Sequence, residues 1–201
     1  RISTDPNMQN FPLRRSVSSR ETCSLLKPIL FHVLLVFVLI LTAKSLVVGQ
    51  VQATQFDFDG DHRADISVFR PTNGMWYTAR NDGFTAVYFG LADDKLVPAD
   101  YDGDGRSDVA VFRNGVWWIL KSSTNTTESV YFGISGDIPV PADFDGDSRA
   151  DLAVFRPSIG QWFWRRTSDG AFNSVIFGLS GDIPLPADYD GDGLADVNVF
   201  R

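Results

Sequence analysis

The chain predicts an all-β fold made of repeated four-stranded antiparallel blades, and three features of the sequence carry that expectation. An acidic nine-residue segment returns four times, at Asp57 to Asp65, Asp100 to Asp108, Asp143 to Asp151 and Asp188 to Asp196, with spacings of 43, 43 and 45 residues. Short apolar runs between these segments are punctuated by hairpin signals such as Asn114-Gly115 and Pro71-Thr72-Asn73-Gly74. The strand Val116 to Lys121 is apolar on both faces, because Trp117 and Ile119 alternate with Trp118 and Leu120. A strand sheathed on both sides belongs to a sheet held between other sheets. Radially packed blades provide this, and a period near 43 residues fits a β-propeller.

The first 53 residues are a leader of different character. Arg14, Arg15, Arg20 and Lys27 precede the apolar run Ile29 to Leu41, and small residues follow it. A secretory signal has this arrangement, with Val51-Gln52-Ala53 or Val47-Val48-Gly49 as cleavage sites. An uncleaved signal anchor over Ile29 to Val48, with Lys44 snorkelling to the interface, is the competing reading. Either one puts the repeats outside the cytoplasm, secreted or at the cell surface. Cys23 lies ahead of the apolar run, so it has no disulfide partner and no lipid-anchor position.

The repeats divide as 54–94, 95–137, 138–182 and a partial unit 183–201. In the second unit the expected strands are Leu96 to Tyr101, Val109 to Arg113, Val116 to Lys121 and Ser129 to Phe132. The acidic loop joins the first two, Asn114-Gly115 the next two, and Ser122 to Glu128 the last two. In the first unit Asn81-Asp82-Gly83 is the corresponding outer turn. Three units and half of a fourth amount to about 3.5 blades. Such a row exposes strand edges and apolar sheet faces. It implies a piece of a longer ring, a ring closed between chains, or an open solenoid-like row, in that order of preference.

Each acidic loop has Asp at positions 1, 3, 5 and 9 and Gly at position 4: Asp57, Asp59, Asp61 and Asp65; Asp100, Asp102, Asp104 and Asp108; Asp143, Asp145, Asp147 and Asp151; Asp188, Asp190, Asp192 and Asp196. Like charges about 4 Å apart repel by roughly 1 kcal/mol in water and several times more near a protein surface. A hard dication reverses that sign. Ca²⁺ suits the set best, because it takes 6 to 8 oxygens in flexible geometry, whereas Mg²⁺ demands a strict octahedron with fewer protein ligands. Position 7, held by Arg63, Arg106, Arg149 and Leu194, needs no side-chain oxygen and would contribute its backbone carbonyl. Zinc is excluded by the lack of Cys and near lack of His in the repeats. An EF-hand would require Gly at position 6 and Glu at position 12, where this chain has Val68, Val111, Val154 and Val199. One copy could be an ordinary Asp-Gly turn. Sixteen retained Asp residues argue against that.

These units resemble the FG-GAP or VCBS repeat of integrin α-chain propellers and of many secreted bacterial proteins. The resemblance covers Thr54 to Arg201 and rests on the loop Asp set, on Phe89-Gly90, Phe132-Gly133 and Phe177-Gly178, and on Gly136-Asp137-Ile138-Pro139 and Gly181-Asp182-Ile183-Pro184, with Ala92-Asp93-Asp94 as a looser copy. It implies a calcium-holding loop in the hairpin between the first two strands of each blade. It also implies a seven-bladed ring, from which this chain departs in blade count.

From Thr54 onward there are 23 acidic and 12 basic residues, and sixteen of the acids lie in the loops. Four dications would bring that region from −11 to about −3, so the acidity reads as ligand supply, and nucleic acid is an unsuitable partner. Catalysis normally uses groups that break a repeat, and here only Asp93 and Glu128 stand alone among the acids. No Ser-His-Asp, Cys-His or phosphate-binding pattern occurs, and paired carboxylates for glycoside cleavage are not supported. No enzyme is expected. Trp76, Trp117 and Trp162 recur in mid-strand, as blade core rather than sugar platforms, with Trp164 the exception because its counterparts are Thr78 and Ile119. Arg70, Arg113, Arg156 and Arg201 recur at the end of the second strand and are expected to bind carboxylates or carbonyls. Asn125-Thr126-Thr127 is a glycosylation sequon in a turn. The expected function is extracellular binding, in adhesion or recognition of a protein or carbohydrate ligand. Membrane contact would come only through an uncleaved leader, and self-association through open blade edges. The alternatives are a structural spacer in a surface array or the non-catalytic domain of a polysaccharide-acting enzyme.

Overall fold

The computed structural model describes residues 54–201 except residue 82; the leader lies outside the described residues. Among the described residues thirteen strands form four antiparallel sheets. The first blade contains β1 (Ile66–Arg70), β2 (Met75–Arg80) and β3 (Gly83–Tyr88). The second contains β4 (Lys95–Leu96), β5 (Val109–Arg113), β6 (Val116–Leu120) and β7 (Thr127–Tyr131). The third contains β8 (Ile138–Pro139), β9 (Leu152–Arg156), β10 (Gln161–Arg165) and β11 (Phe172–Ile176). A half-blade follows, of β12 (Ile183–Pro184) and β13 (Val199–Phe200). The all-β blade architecture is the one expected from the sequence.

The innermost strand is shorter than the Leu96 to Tyr101 segment expected. After Leu96 the ladder continues only as the Val97 N–H on the Ala110 carbonyl and one bridge, Ala99 to Asp108, while Pro98 between them falls at the position that turns to the open edge, where no N–H is needed. The third and fourth units repeat that bridge at Ala142 and Asp151 and at Ala187 and Asp196. In the first blade the Asp65 N–H meets the Phe56 carbonyl at 2.8 Å, and the residues that would extend an inner strand are outside the described residues. The outermost strand of the second blade begins at Thr127, two residues before the expected start, because the Lys121 carbonyl closes the preceding turn on Asn125 N–H at 2.8 Å. Asn114 and Gly115 both have positive φ, 50° and 84°, as a two-residue hairpin turn requires.

Packing within each blade centres on one cross-strand aromatic pair. Phe69 opposes Trp76, Phe112 opposes Trp117 and Phe155 opposes Trp162, with ring centroids 5.3 to 5.5 Å apart. All three Trp residues are buried, so their recurrence marks core. Their indole N–H groups are satisfied by the carbonyls of Phe89, Phe132 and Phe177 at 2.7 to 2.8 Å. The glycine after each of these Phe residues allows close approach. A Cβ at Gly133 would stand 3.3 Å from the Phe112 ring and from Asp137.

Blades stack face to face with a fixed sense. Trp76 and Phe58 of the first pack on Val109 and Val111 of the second. Phe112, Trp117 and Ile119 of the second pack on Leu152 and Val154 of the third. Phe155, Trp162 and Trp164 of the third pack on Val197 and Val199 of the half-blade. Trp164 is therefore a stacking residue, lying 5.2 Å from the Phe144 ring at 28°. The expectation that β6 is covered on both faces holds fully on the Trp117 side only. Trp118, on the other face, is 36% exposed.

Candidate metal centres

In the second, third and fourth units the acidic loop connects an inner strand to the next strand of the blade, in the first unit it leads into β1, and every loop is built around the Asp at position 1. Its two carboxylate oxygens accept the N–H groups of positions 4 and 6: Gly60 and His62 on Asp57, Gly103 and Gly105 on Asp100, Gly146 and Ser148 on Asp143, Gly191 and Gly193 on Asp188, at 2.6 to 3.0 Å. Both N–H groups point inward because positions 4 and 6 are left-handed in every copy. Position 4 is always Gly, but position 6 includes His62 at φ 65° and Ser148 at φ 67°. The left-handed requirement at position 6 was missed from the sequence. Gly105 and Gly193 were its signal.

The remaining Asp residues divide into two roles. Position 9 lies at the start of the second strand, and its Oδ2 accepts the N–H of position 2, from Phe58, Tyr101, Phe144 and Tyr189 at 2.8 to 3.0 Å. In two blades the other oxygen accepts an N–H from the outer hairpin, Ser122 on Asp108 and Thr167 on Asp151, each at 2.7 Å. Position 5 turns to the position 7 backbone, where Arg63, Arg106, Arg149 and Leu194 donate to Asp61, Asp104, Asp147 and Asp192 at 2.8 to 2.9 Å.

The structure gathers carboxylates at each loop but not the same ones. Oxygens of positions 1, 3 and 9 lie within 4.8 Å of one another in the second, third and fourth loops: Asp100, Asp102 and Asp108; Asp143, Asp145 and Asp151; Asp188, Asp190 and Asp196. In the first loop the group is Asp57, Asp59 and Asp61, and Asp65 stands outside it. Asp61 is there held by the Asn81 side-chain amide, a partner that Ser122 replaces on Asp104 at 2.8 Å and Thr167 replaces on Asp147 at 3.1 Å.

Burial sets the electrostatics. Desolvation, with a smaller contribution from the neighbouring Asp102 carboxylate, pushes Asp108 up to about 6, and desolvation with Asp145 does the same to Asp151. Burial also raises Asp100 and Asp65. Asp145 runs the other way. Against the upward push of burial, the Ser168 hydroxyl and the Arg166 guanidinium hold it below the usual carboxylate range. The third loop is thus met by cations, Arg166 from the outer hairpin on Asp145 at 3.2 Å and its own Arg149 on Asp147 at 2.7 Å. In the second loop Asp102 is met by neutral Ser123, through its hydroxyl at 2.6 Å, and its Oδ1 is buried without a partner. An anionic oxygen in that state fits a hard cation better than a turn that needs nothing.

Loops of successive blades are joined. The N–H of position 8 donates to the position 1 carbonyl of the preceding loop: Ser107 to Asp57, Ala150 to Asp100 and Ala195 to Asp143, at 2.6 to 2.7 Å. The position 7 side chain covers the preceding loop's position 4 glycine. A Cβ on Gly60 would come within 3.3 Å of Arg106, one on Gly103 within 2.9 Å of Arg149 and one on Gly146 within 2.8 Å of Leu194. Position 7 side chains are thus inter-blade contacts.

These features define a class: a β-propeller-type repeat module whose blades are tied by carboxylate-rich loops at one end. The FG-GAP-like repeat model matches residues 57–111, 100–154 and 143–199, and the chain belongs to that family. Each match runs from one acidic loop through the next, so the unit it describes includes the loop-to-loop junction. No curated protein and no solved structure matches the chain.

Proposed function

We propose that this protein is an extracytoplasmic, calcium-stapled binding module without catalytic activity of its own. The buried, unpartnered Oδ1 of Asp102 beside Asp100 and Asp108 is the observation that carries the metal assignment. Positions 1, 3 and 9 would hold the ion in the later loops and positions 1, 3 and 5 in the first, with the position 7 carbonyls of Arg63, Arg106, Arg149 and Leu194 and water completing the shell. When bound, the ion would neutralise the clustered carboxylates and order the turn. Supply of charge by Arg149 and Arg166 makes the third loop the weaker site and the second the stronger.

Adhesion or recognition through exposed blade surfaces is the role that suits such a scaffold. The spacer reading is favoured by one observation: several exposed aromatics fall on repeated positions, Tyr88 and Tyr131 with Ile176 in their row, and Phe84 with Phe172, although Phe56 has only Ala counterparts. A recognition surface would be expected to break the repeat. Isothermal titration of chelator-treated protein with Ca²⁺ and Mg²⁺ tests the metal assignment: calcium uptake that Asp102→Asn reduces supports it, and no heat with either ion overturns it. Glycan-array and cell-surface binding of the folded module separates recognition from spacing.

A further inference from the structure

Tyr77, Trp118 and Phe163 hold one position in three successive blades, opposite Val68, Val111 and Val154. Two of them are covered by a second ring from the outer strand of their own blade. Phe84 stacks on Tyr77 with ring centroids 6.1 Å apart at 28°, and Phe172 stacks on Phe163 at 6.0 Å and 30°. A guanidinium adds to each stack, since Arg70 lies 4.6 Å from the Tyr77 ring and Arg156 4.5 Å from the Phe163 ring. The middle copy has neither partner. Thr127 opposes Leu120 where Phe84 opposes Ala79 and Phe172 opposes Arg165, and Trp118 makes no ring or cation contact among the described residues.

That one replacement opens the junction between the first two blades. Between the second and third, Phe172 also meets Phe132 edge-on at 6.2 Å, so three rings fill the cleft. Between the first and second, the equivalent cleft is a cavity of about 120 Å³ lined by Phe89, Gly90, Val111, Arg113 and Trp118. Its rim is polar. Ser129 is the cross-strand partner of Trp118, and Thr127 lies two residues along the same strand, so both hydroxyls share its face of the sheet. Arg113 binds Asp94 through Nε and Nη2, which leaves Nη1 as a further donor.

These groups select an occupant. A wholly apolar ring would leave the Arg113 N–H and both hydroxyls facing carbon, and an anion gains little from a guanidinium that Asp94 already neutralises. A neutral ring with one apolar face and a hydroxylated edge satisfies both parts. We propose that this cleft is a carbohydrate subsite, in which the C–H face of a neutral pyranose lies on Trp118 and its hydroxyls meet Arg113, Ser129 and Thr127. Drug-sized ligands fill about 300 to 1,000 Å³. The smaller cleft therefore admits one sugar unit. The subsite rests on the recognition role proposed above and needs no cation in the loops.

Saturation-transfer NMR of the full, unglycosylated chain with the methyl glycosides of glucose, galactose, mannose and N-acetylglucosamine tests the subsite, and the indole N–H cross-peak of Trp118 reports its location. At least one glycoside should bind in the millimolar range and shift that cross-peak. Trp118→Ala should weaken binding at least tenfold. Thr127→Phe, which supplies the ring that Phe84 and Phe172 supply in the other blades, should do the same at an exposed position, with near-ultraviolet circular dichroism confirming the fold. No binding of any glycoside overturns the proposal, as does binding of N-acetylphenylalaninamide in their place, which would make the cleft a seat for an aromatic side chain. Glycoside binding that Thr127→Phe leaves intact also overturns it, and puts recognition elsewhere on the blades with the recognition role itself standing.

Discussion

Arg156 and Asp137 meet through two parallel bonds, Nε to Oδ1 at 2.8 Å and one terminal nitrogen to Oδ2 at 2.9 Å, across the junction between the second and third blades. Arg113 with Asp94 and Arg201 with Asp182 repeat the geometry one blade earlier and one later. Each Asp side chain is almost completely buried, and its Oδ2 also accepts the N–H three residues back, from Leu91, Ile134 or Leu179. The pair fixes the linker of one blade to the second strand of the next. Arg70 has no such carboxylate among the described residues and lies over the Tyr77 ring at 4.6 Å.

Removing the cation would strand a buried carboxylate. Arg156→Met should therefore destabilise the fold by about 3 kcal/mol, the usual cost of breaking a buried pair from one side. Arg201 is 67% exposed, so Arg201→Met should cost less than Arg156→Met. Urea denaturation of both variants checks the ranking, and equal losses would contradict it.

Calcium removal should lower the melting temperature. A site filled between several-fold and a hundredfold above its dissociation constant adds roughly 1 to 3 kcal/mol. Asp145→Ala combined with Asp147→Ala should lower the melting temperature in calcium and change it much less in chelator. Asp102→Asn should remove more of the calcium-dependent increment than the third-loop double variant does. A melting temperature indifferent to chelator in the wild type would reduce the loops to turns.

The metal-free protein should respond to pH through Asp108 and Asp151. Their folded values near 6 exceed the ordinary carboxylate value, so the folded state binds protons that the unfolded state does not. In chelator, stability should therefore rise as pH falls from 7 toward 5, and be lost as pH rises through 6. Saturating calcium favours the ionised carboxylates and should flatten or invert this profile. Differential scanning calorimetry at each pH, with and without calcium, reads both slopes.

Position 6 offers a test of backbone strain. Ser148 adopts a left-handed conformation that glycine takes without penalty, so Ser148→Gly should stabilise the fold by a few tenths to about 1 kcal/mol. Gly105→Ala, at φ 84° in the equivalent place, should destabilise by about 1 kcal/mol. Opposite signs in thermal melts are the expected outcome.

The amino-acid order alone determined the local features: the acidic loop and its period, the Asn114-Gly115 turn, the burial of Trp76, Trp117 and Trp162, and the recurrence of Arg113, Arg156 and Arg201. Turn chemistry and alternation act over a few residues, so they can be read directly. Tertiary structure decided which of these residues meet. Asp137 and Arg156 recur visibly but are 19 residues apart, and only the path of one blade into the next brings them together. The same holds for Arg106 over Gly60, which depends on the stacking of successive loops. It also holds for the choice of Asp108 over Asp104 in the carboxylate group of the second loop, where the first loop takes Asp61 instead although both loops have the same Asp spacing. Stacking direction and register arise from packing between blades, and no single repeat contains that information.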